Sequence, residues 1–293
     1  MSHVSIIIPA YNEEERIEPT IKSYLSYYQS KYPNNFEILV VLNGCKDNTL
    51  GVVKKYADEH DEIRYLNYPE PIGKGGAIAK GFKYATGEFV GYTDADMSTR
   101  PEIMHRLLRV IEELPDVECV IGSRELKNSK VVGKGLNRKI MSKGFNLGVN
   151  LLFNLGIKDT QCGAKLLRRN IIQKILPYLT VTNMAFDVNL LVDVKRADGD
   201  IIEVPIEWED ADKSTIKNPI KVSLAMAISV LKLKMIYSPL RPLMAMFSDD
   251  TYKSLLPENK TSILNDSNKK EEKDKTETKP LQMKAIGRGY EAK

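Results

Sequence analysis

The sequence is poor in the side chains that build most metal and redox centres, with three histidines, three cysteines and one tryptophan in 293 residues. Cys45, Cys119 and Cys162 are odd in number and far apart, so they match neither a disulfide framework nor a zinc site and suit a reducing compartment. His3, His60 and His105 are too scattered for a histidine-based metal centre. Long apolar runs are also missing. The longest, near Leu224 to Leu231, is cut by Lys232 and Lys234 well before the roughly 20 residues that a membrane-spanning helix needs. Met1-Ser2-His3 leads straight into Val4-Ser5-Ile6-Ile7-Ile8, which is shorter than a secretory apolar core. Neither a signal peptide nor a transmembrane span is therefore expected.

What is present is a chain long enough to bury a proper core, 42% hydrophobic and 28% charged. Its net charge of +4 hides an uneven distribution. Between Arg124 and Lys174 there are twelve Lys or Arg against two acids, Glu125 and Asp159, while 248–293 is nearly balanced and the rest is acidic by seven. One segment concentrates the positive charge.

Short β-rich runs alternate with amphipathic ones: strands at Val4–Pro9, Phe36–Leu42, Ile63–Tyr68, Phe89–Tyr92 and Glu118–Ile121, helices at Glu13–Tyr28, Asn48–Glu59, Gly75–Ala85 and Pro101–Glu113. This pattern predicts a mostly parallel sheet with helices on both faces and ligands at the C-terminal strand ends, so functional loops should follow Ile8, Leu42, Tyr68 and Tyr92. Further helices are expected at Arg138–Leu155, Phe186–Arg196 and Lys221–Tyr237, and a strand at Asp200–Ile206. The domain division is 1–218 for the catalytic unit, 219–247 for an amphipathic helical segment and 248–293 for a disordered charged tail. The tail is too polar to offset its ordering entropy.

The most informative local feature is Thr93-Asp94-Ala95-Asp96, just after a strand. Two carboxylates one residue apart can act together on a hard divalent cation, Mg²⁺ or Mn²⁺, that bridges a diphosphate. An isolated Asp-x-Asp is more often only an acidic turn, but this one sits where parallel sheets bind ligands. Pro9-Ala10-Tyr11-Asn12-Glu13-Glu14 ends the first strand with a ring that can stack on a base and groups that can accept from a base or ribose; a plain turn and helix start reads equally well. Asn43, in Leu42-Asn43-Gly44-Cys45, can pair with a base edge or belong to a capping loop. In Gly73-Lys74-Gly75-Gly76-Ala77, glycines at a helix start would let backbone N–H groups approach a phosphate, with Lys74 as a point charge. It lacks the Ser or Thr of a P-loop, which weakens an ATPase reading.

Taken in order, Ile-Ile-Pro-Ala-Tyr-Asn-Glu-Glu, Asp47-Asn48-Thr49, Gly73-Lys74-Gly75-Gly76-Ala77, Asp94-Ala95-Asp96, Gly122-Ser123-Arg124 and Asp159-Thr160-Gln161-Cys162-Gly163-Ala164-Lys165 resemble family 2 glycosyltransferases of GT-A fold. Within that family they are most similar to the polyprenyl-phosphate branch that includes the dolichyl-phosphate β-glucosyltransferases. The resemblance spans about Val4 to Leu240. It implies a Rossmann-like nucleotide-diphospho-sugar transferase with a nucleotide-sugar donor on the N-terminal half and a lipid phosphate acceptor on the rest. By this resemblance Pro9, Tyr11, Glu13, Asn43, Lys74 and Gly75 hold the donor, and Asp94 and Asp96 the ribose and metal-bound diphosphate. Asp159, Gln161 and Asp187 line the sugar or acceptor pocket, and Lys213 closes over the diphosphate. The family usually has Asp-Asp-Gly-Ser where this chain has Leu42-Asn43-Gly44-Cys45, so Asn43 loosens the inference about which base is read.

A lipid phosphate is already ionised at neutral pH and can attack the sugar without a strong general base, so the enzyme must mainly hold two anions together. Arg124, Arg138 and Lys143 in the basic segment, with Lys213 beyond it, are the expected acceptor-phosphate ligands. The expected activity is inverting transfer of glucose from UDP-glucose to dolichyl or another polyprenyl phosphate for lipid-linked glycan assembly such as N-glycosylation. It would take place on the cytoplasmic side of a membrane that the protein meets peripherally, with no nucleic-acid partner. GDP-mannose as donor is the alternative within the same chemistry, and a non-catalytic sugar-nucleotide binder the alternative outside it.

Overall fold

The first strands are apolar at nearly every position rather than alternately: Ile6, Ile7, Ile8 and the run Ile38 to Leu42 are fully buried. Such runs fit a sheet covered on both faces. The computed structural model, which describes residues 2–133, 135–209, 219–238, 283–286 and 289–292, has that arrangement. Strands β1 (Val4–Ala10), β2 (Phe36–Asn43), β3 (Ile63–Tyr68) and β4 (Phe89–Tyr92) are separated by helices α1 (Ile17–Lys31), α2 (Thr49–Glu59) and α3 (Gly73–Tyr84). After α4 (Pro101–Glu113) come β5 (Val117–Ser123), a short β6 (Lys130–Val132), α5 (Leu136–Phe153), β7 (Lys165–Arg168) and α6 (Arg169–Ile175). The chain continues through α7 (Phe186–Arg196), β8 (Asp200–Pro205), β9 (Glu207–Glu209) and α8 (Pro219–Ile236), and ends in β10 (Met283–Ile286) and β11 (Gly289–Ala292).

Nine strands form one sheet in the order β10-β11-β3-β2-β1-β4-β7-β5-β8, and β6 pairs with β9 beside it. The pairs among β1, β2, β3 and β4 are parallel, as is β5 with β8, while β7 is inserted antiparallel between β4 and β5. One core lies under α1, α2 and α4, the other under α3, α6, α7 and the inner face of α8. Each face of the sheet is thus closed by apolar side chains, the main stabilising contribution to such a layer fold.

Three differences from the sequence expectations matter for the site. Helix α1 starts at Ile17 rather than Glu13, because Asn12 takes a left-handed φ of 53° and Glu13 to Arg16 close a turn first. Strand β7 carries too few residues to show a period, so periodicity missed it. At the C-terminus, where a disordered tail was expected, Met283–Ile286 and Gly289–Ala292 form a hairpin whose second strand adds in parallel to the free edge of β3. The boundary expected at 218, and the stretch from 239 to 282, lie outside the described residues.

Candidate active site

Register brings the strand ends together: Ala10 lies opposite Leu42, Asn43 opposite Tyr68, and Ile7 opposite Tyr92. The loops after β1, β2, β3 and β4 therefore open on one edge of the sheet, the edge the alternation predicts. Asp94 and Asp96 stand there, immediately past β4. Helix α1 holds their loop from beneath, where Thr20 Oγ1 donates to the Ala95 carbonyl at 2.8 Å and Tyr24 Oη to the Thr99 carbonyl at 2.9 Å. Sequence reading missed both residues, although they lie four apart on the buried face of a helix. Asp96 Oδ1 accepts from the Ser98 N–H at 3.0 Å, which tightens the turn around Met97 with its φ of 61°.

Asp94 is held between two walls. Lys74 Nζ lies 2.5 Å from its Oδ1. On the other side Gly163 comes so near that an added Cβ would sit 2.2 Å from Oδ2. Burial opposes the charged carboxylate, but Lys74, then Arg124 and Lys165, outweigh it and keep its pKa below the ordinary value. Burial likewise opposes the Lys74 ammonium, and Asp94 and Asp187 hold its pKa above the ordinary value. The site is thus a balanced set of charges before any ligand arrives.

Glu13 faces the same group. Burial raises its pKa, Arg16 at 2.6 Å counteracts, and the negative charges of Asp96 and Asp94 add to the rise. The backbone N–H of Glu13 bonds Thr49 Oγ1 at 2.9 Å, and Asn12 Oδ1 accepts from the Lys46 N–H at 2.8 Å, so the loops after β1 and β2 form one unit. Pro9 ends within this unit and Tyr11 is 46% exposed, leaving its ring available to a stacked base. Asn43 is buried, and its Oδ1 accepts from the Ile72 N–H at 2.6 Å; its role in this structure is to pin the loop before α3.

The glycine-rich start of α3 does not present its backbone to a ligand in the way the sequence suggested. The N–H of Gly75 donates to the Thr182 carbonyl at 2.7 Å, and that of Gly76 to the same oxygen at 3.3 Å. A Cβ on Gly73 would lie 2.3 Å from that carbonyl, and one on Gly75 2.5 Å from the Phe186 side chain. These glycines let α3 pack against the loop before α7, so the expectation that Gly75 cradles a phosphate is corrected; only Lys74 reaches the carboxylates.

Arg124, expected to hold an acceptor phosphate, does not point free. Its Nε and Nη2 donate to Asp159 at 2.8 and 2.9 Å, its backbone N–H donates to the same carboxylate at 2.9 Å, and its guanidinium lies 5.4 Å from the Trp208 ring centroid. Burial opposes both charges, yet the pairing holds the Asp159 pKa below and the Arg124 pKa above the ordinary value. Asp187, in the first turn of α7, accepts from Tyr92 Oη and, at 2.6 Å, from Lys165 Nζ. Gln161 is half-buried and approaches Met226 Sδ of α8 at 4.0 Å. Lys143 extends from the outer side of α5, 71% exposed and 3.9 Å from Glu125. The Arg138 side chain and Lys213 lie outside the described residues.

A cavity of about 600 Å³ opens on the opposite edge of the sheet, between Phe36, Glu37, His60, Arg64 and Thr86. Its buried carboxylate, Glu37, is already bonded to Ser5, Arg64 and Thr86.

The fold places two carboxylates at a parallel-sheet edge and laces the neighbouring strand-end loops around them, an α/β arrangement of GT-A type. Comparison with known proteins gives the family. The model of glycosyl transferase family 2 matches residues 5–176, and the chain belongs to that family. A dolichyl-phosphate β-glucosyltransferase of Trichomonas vaginalis is 34% identical over 239 residues, 79% of this chain and 70% of that protein. Those of Saccharomyces cerevisiae and Homo sapiens are 31% and 30% identical, covering 80% and 73% of this chain and 75% and 69% of theirs. Among solved structures, glucosyl-3-phosphoglycerate synthase of Mycobacterium tuberculosis, in complex with Mn²⁺, UDP-glucose and phosphoglyceric acid, has the same fold at a TM-score of 0.62. It is 17% identical and covers 81% of this chain and 82% of its own.

Proposed function

We propose that this glycosyltransferase moves glucose from UDP-glucose to a polyprenyl phosphate of the dolichyl type, with inversion, assisted by Mg²⁺ or Mn²⁺. The observation that carries the proposal is the convergence of Asp94 and Asp96 on one sheet edge with the Arg124–Asp159 pair and the loop Asp159 to Gly163. The names of the similar proteins support the acceptor, and Mn²⁺ with UDP-glucose in the structural neighbour supports the donor chemistry.

The donor set fits a hard divalent cation. Asp94 already faces a cation, the Lys74 ammonium, and Asp96 contributes a second carboxylate two residues on. Among the described residues no three His, Cys, Asp or Glu form a group able to hold a metal alone, so the remaining positions would fall to diphosphate oxygens and water. When bound, the ion supplies charge neutralisation to the leaving diphosphate. The acceptor phosphate oxygen attacks the sugar C1 as the bond from C1 to the UDP oxygen breaks. Because the nucleophile is already an anion, neither Asp187 nor Asp159 is needed as a base, consistent with the pairing of Asp187 Oδ1 to Lys165 and of both Asp159 oxygens to Arg124.

The proposal includes a membrane surface. Helices α5 and α8 contain six Lys or Arg and no acid. Ile140, Leu147 and Leu151 of α5 and Leu224 and Leu231 of α8 are each more than half exposed. Apolar ridges with a basic surround suit the headgroup layer of an anionic bilayer. Among the described residues no helix is long and apolar enough to cross a membrane.

The test is incubation with a short-chain polyprenyl phosphate, Mg²⁺ or Mn²⁺, and a panel of nucleotide sugars. Glucosyl transfer from UDP-glucose supports the reading. Transfer from GDP-mannose alone replaces the donor, and no transfer from any donor removes the enzyme reading for this acceptor.

A further inference from the structure

Lys165 has no solvent exposure, the one cation in that condition among the described residues, and the chemistry proposed above gives its ammonium no direct part. It opens β7 in the middle of the sheet, opposite Tyr92 of β4 and Ile121 of β5. Removing an ammonium from water is costly unless every proton finds a partner. Here Nζ donates to the Cys162 carbonyl at 2.6 Å and to Asp187 Oδ1 at 2.6 Å, and stands 5.6 Å from the Tyr92 ring centroid. With two of its three donors committed and its surface closed, Lys165 does not reach a substrate.

We propose that Lys165 is the positioning residue for the Asp94 carboxylate, acting mainly through the Cys162–Gly163 turn. Its bond to the Cys162 carbonyl fixes the backbone that carries Gly163. Gly163 is the wall against Asp94 Oδ2, with a Cβ position 2.2 Å away, while Lys74 holds Oδ1 from the other side. A small movement of the turn would let the carboxylate rotate away from Lys74. The second arm runs through Asp187, whose Oδ1 is shared with Tyr92 Oη, two residues before Asp94. One buried cation thereby ties the carboxylate on the donor side to the one at the start of α7. The functional consequence rests on the reading of Asp94 as a ligand of the metal-bound diphosphate; the positional claim does not.

The test compares wild type, Lys165→Met and the double variant Lys165→Met/Asp187→Asn. Asp187→Asn removes the carboxylate that Lys165→Met leaves without its ammonium, so the double variant regains folding stability. A role confined to charge balance would be rescued in it; a positioning role would not, because Cys162 still lacks its donor. The expected result for the double variant is cooperative unfolding like that of wild type, an Mn²⁺ requirement for UDP binding raised about tenfold by calorimetry, and a crystal structure with Asp94 Oδ1 more than 4 Å from Lys74 Nζ. An unliganded double variant with Asp94 still on Lys74 overturns the inference, whatever the protein binds. Wild type that binds no UDP with Mn²⁺ counts instead against the proposed function, and the unliganded structures still decide the role of Lys165.

Discussion

Asp159→Asn is the most informative single substitution, because the structure gives Arg124 a partner where the sequence suggested a free phosphate ligand. The Asp159 side chain is 3% exposed and that of Arg124 13%. Three hydrogen bonds from Arg124 end on the carboxylate, two from the guanidinium and one from the backbone. Breaking a buried pair by removing one charge costs about 3 to 5 kcal/mol, since the other charge stays desolvated. Arg124 retains slight access to water and its stacking on Trp208, so the lower figure, about 3 kcal/mol, is expected. Urea denaturation measures it. In a double-mutant cycle Arg124→Met should cost a similar amount, and the combined variant much less than the sum, because neither charge is then left alone. The sign with pH follows from the depressed Asp159 pKa. The pair stabilises fully above the ordinary carboxylate range near 4, and its contribution fades as pH falls below that through the folded-state value. Strict additivity, or a cost below about 1 kcal/mol for Asp159→Asn, would refute the view that this pair is a fixed structural brace.

Other predictions address the remaining parts of the site. Asp96→Asn should abolish turnover while leaving the urea midpoint within error of wild type; near-normal turnover would remove Asp96 from the metal role. Asp193 accepts from Tyr237 Oη at 2.6 Å and Asn189 Nδ2 at 2.5 Å, and burial pushes its carboxyl up to about 7. A raised folded-state pKa stabilises fully below about pH 4 and is lost as pH rises through about 7, so unfolding free energy should decline over that window and Asp193→Asn should flatten the slope. Leu147→Glu with Leu151→Glu, on the exposed side of α5, should cut cosedimentation with phosphatidylserine vesicles about fivefold or more without lowering thermal stability, on the scale of apolar and charge terms at an interface. Deleting 283–293 uncovers the β3 edge along Tyr65 to Asn67, and light scattering should then show concentration-dependent self-association.

How much of this was legible in the sequence depended on how local each signal is. The strand–helix alternation and the strand ends needed only neighbouring residues, and the loops after β1 to β4 stand where that pattern put them. Asp94 and Asp96 were legible for the same reason, as a short motif at a strand end. What a side chain does with its charge depends on partners far along the chain, and there the reading failed in specific ways. Arg124 looked like a free cation because Asp159 is 35 positions away. Gly75 looked like a phosphate cradle because nothing nearby in sequence shows that Thr182 takes its N–H. Lys165 looked like one more base in a +10 segment, yet it is sealed between Asp187 and the Cys162 carbonyl.

The charge census therefore divides by geometry rather than by sequence. Lys165 and Arg124 are internal counter-ions; Arg168 is spent on backbone carbonyls at the end of α4 and the start of β5, and Arg169 on those just before β4. Lys139, Lys143 and Lys158 remain outside, on or beside α5. A segment that reads as uniformly basic thus supplies two unlike things. Inside, it supplies the cations that pair with two carboxylates near the sheet edge, Arg124 with Asp159 and Lys165 with Asp187, while Lys74 from outside the segment holds Asp94. Outside, it supplies a positive rim around an apolar helix face. Since the same fifty-odd residues carry both, the Arg124–Asp159 brace and the proposed membrane-facing helix are directly linked: Asn146 of α5 donates to the carbonyls of Ile157 and Lys158 and accepts from the Thr160 N–H, coupling the helix to the loop that carries Asp159 and Gln161.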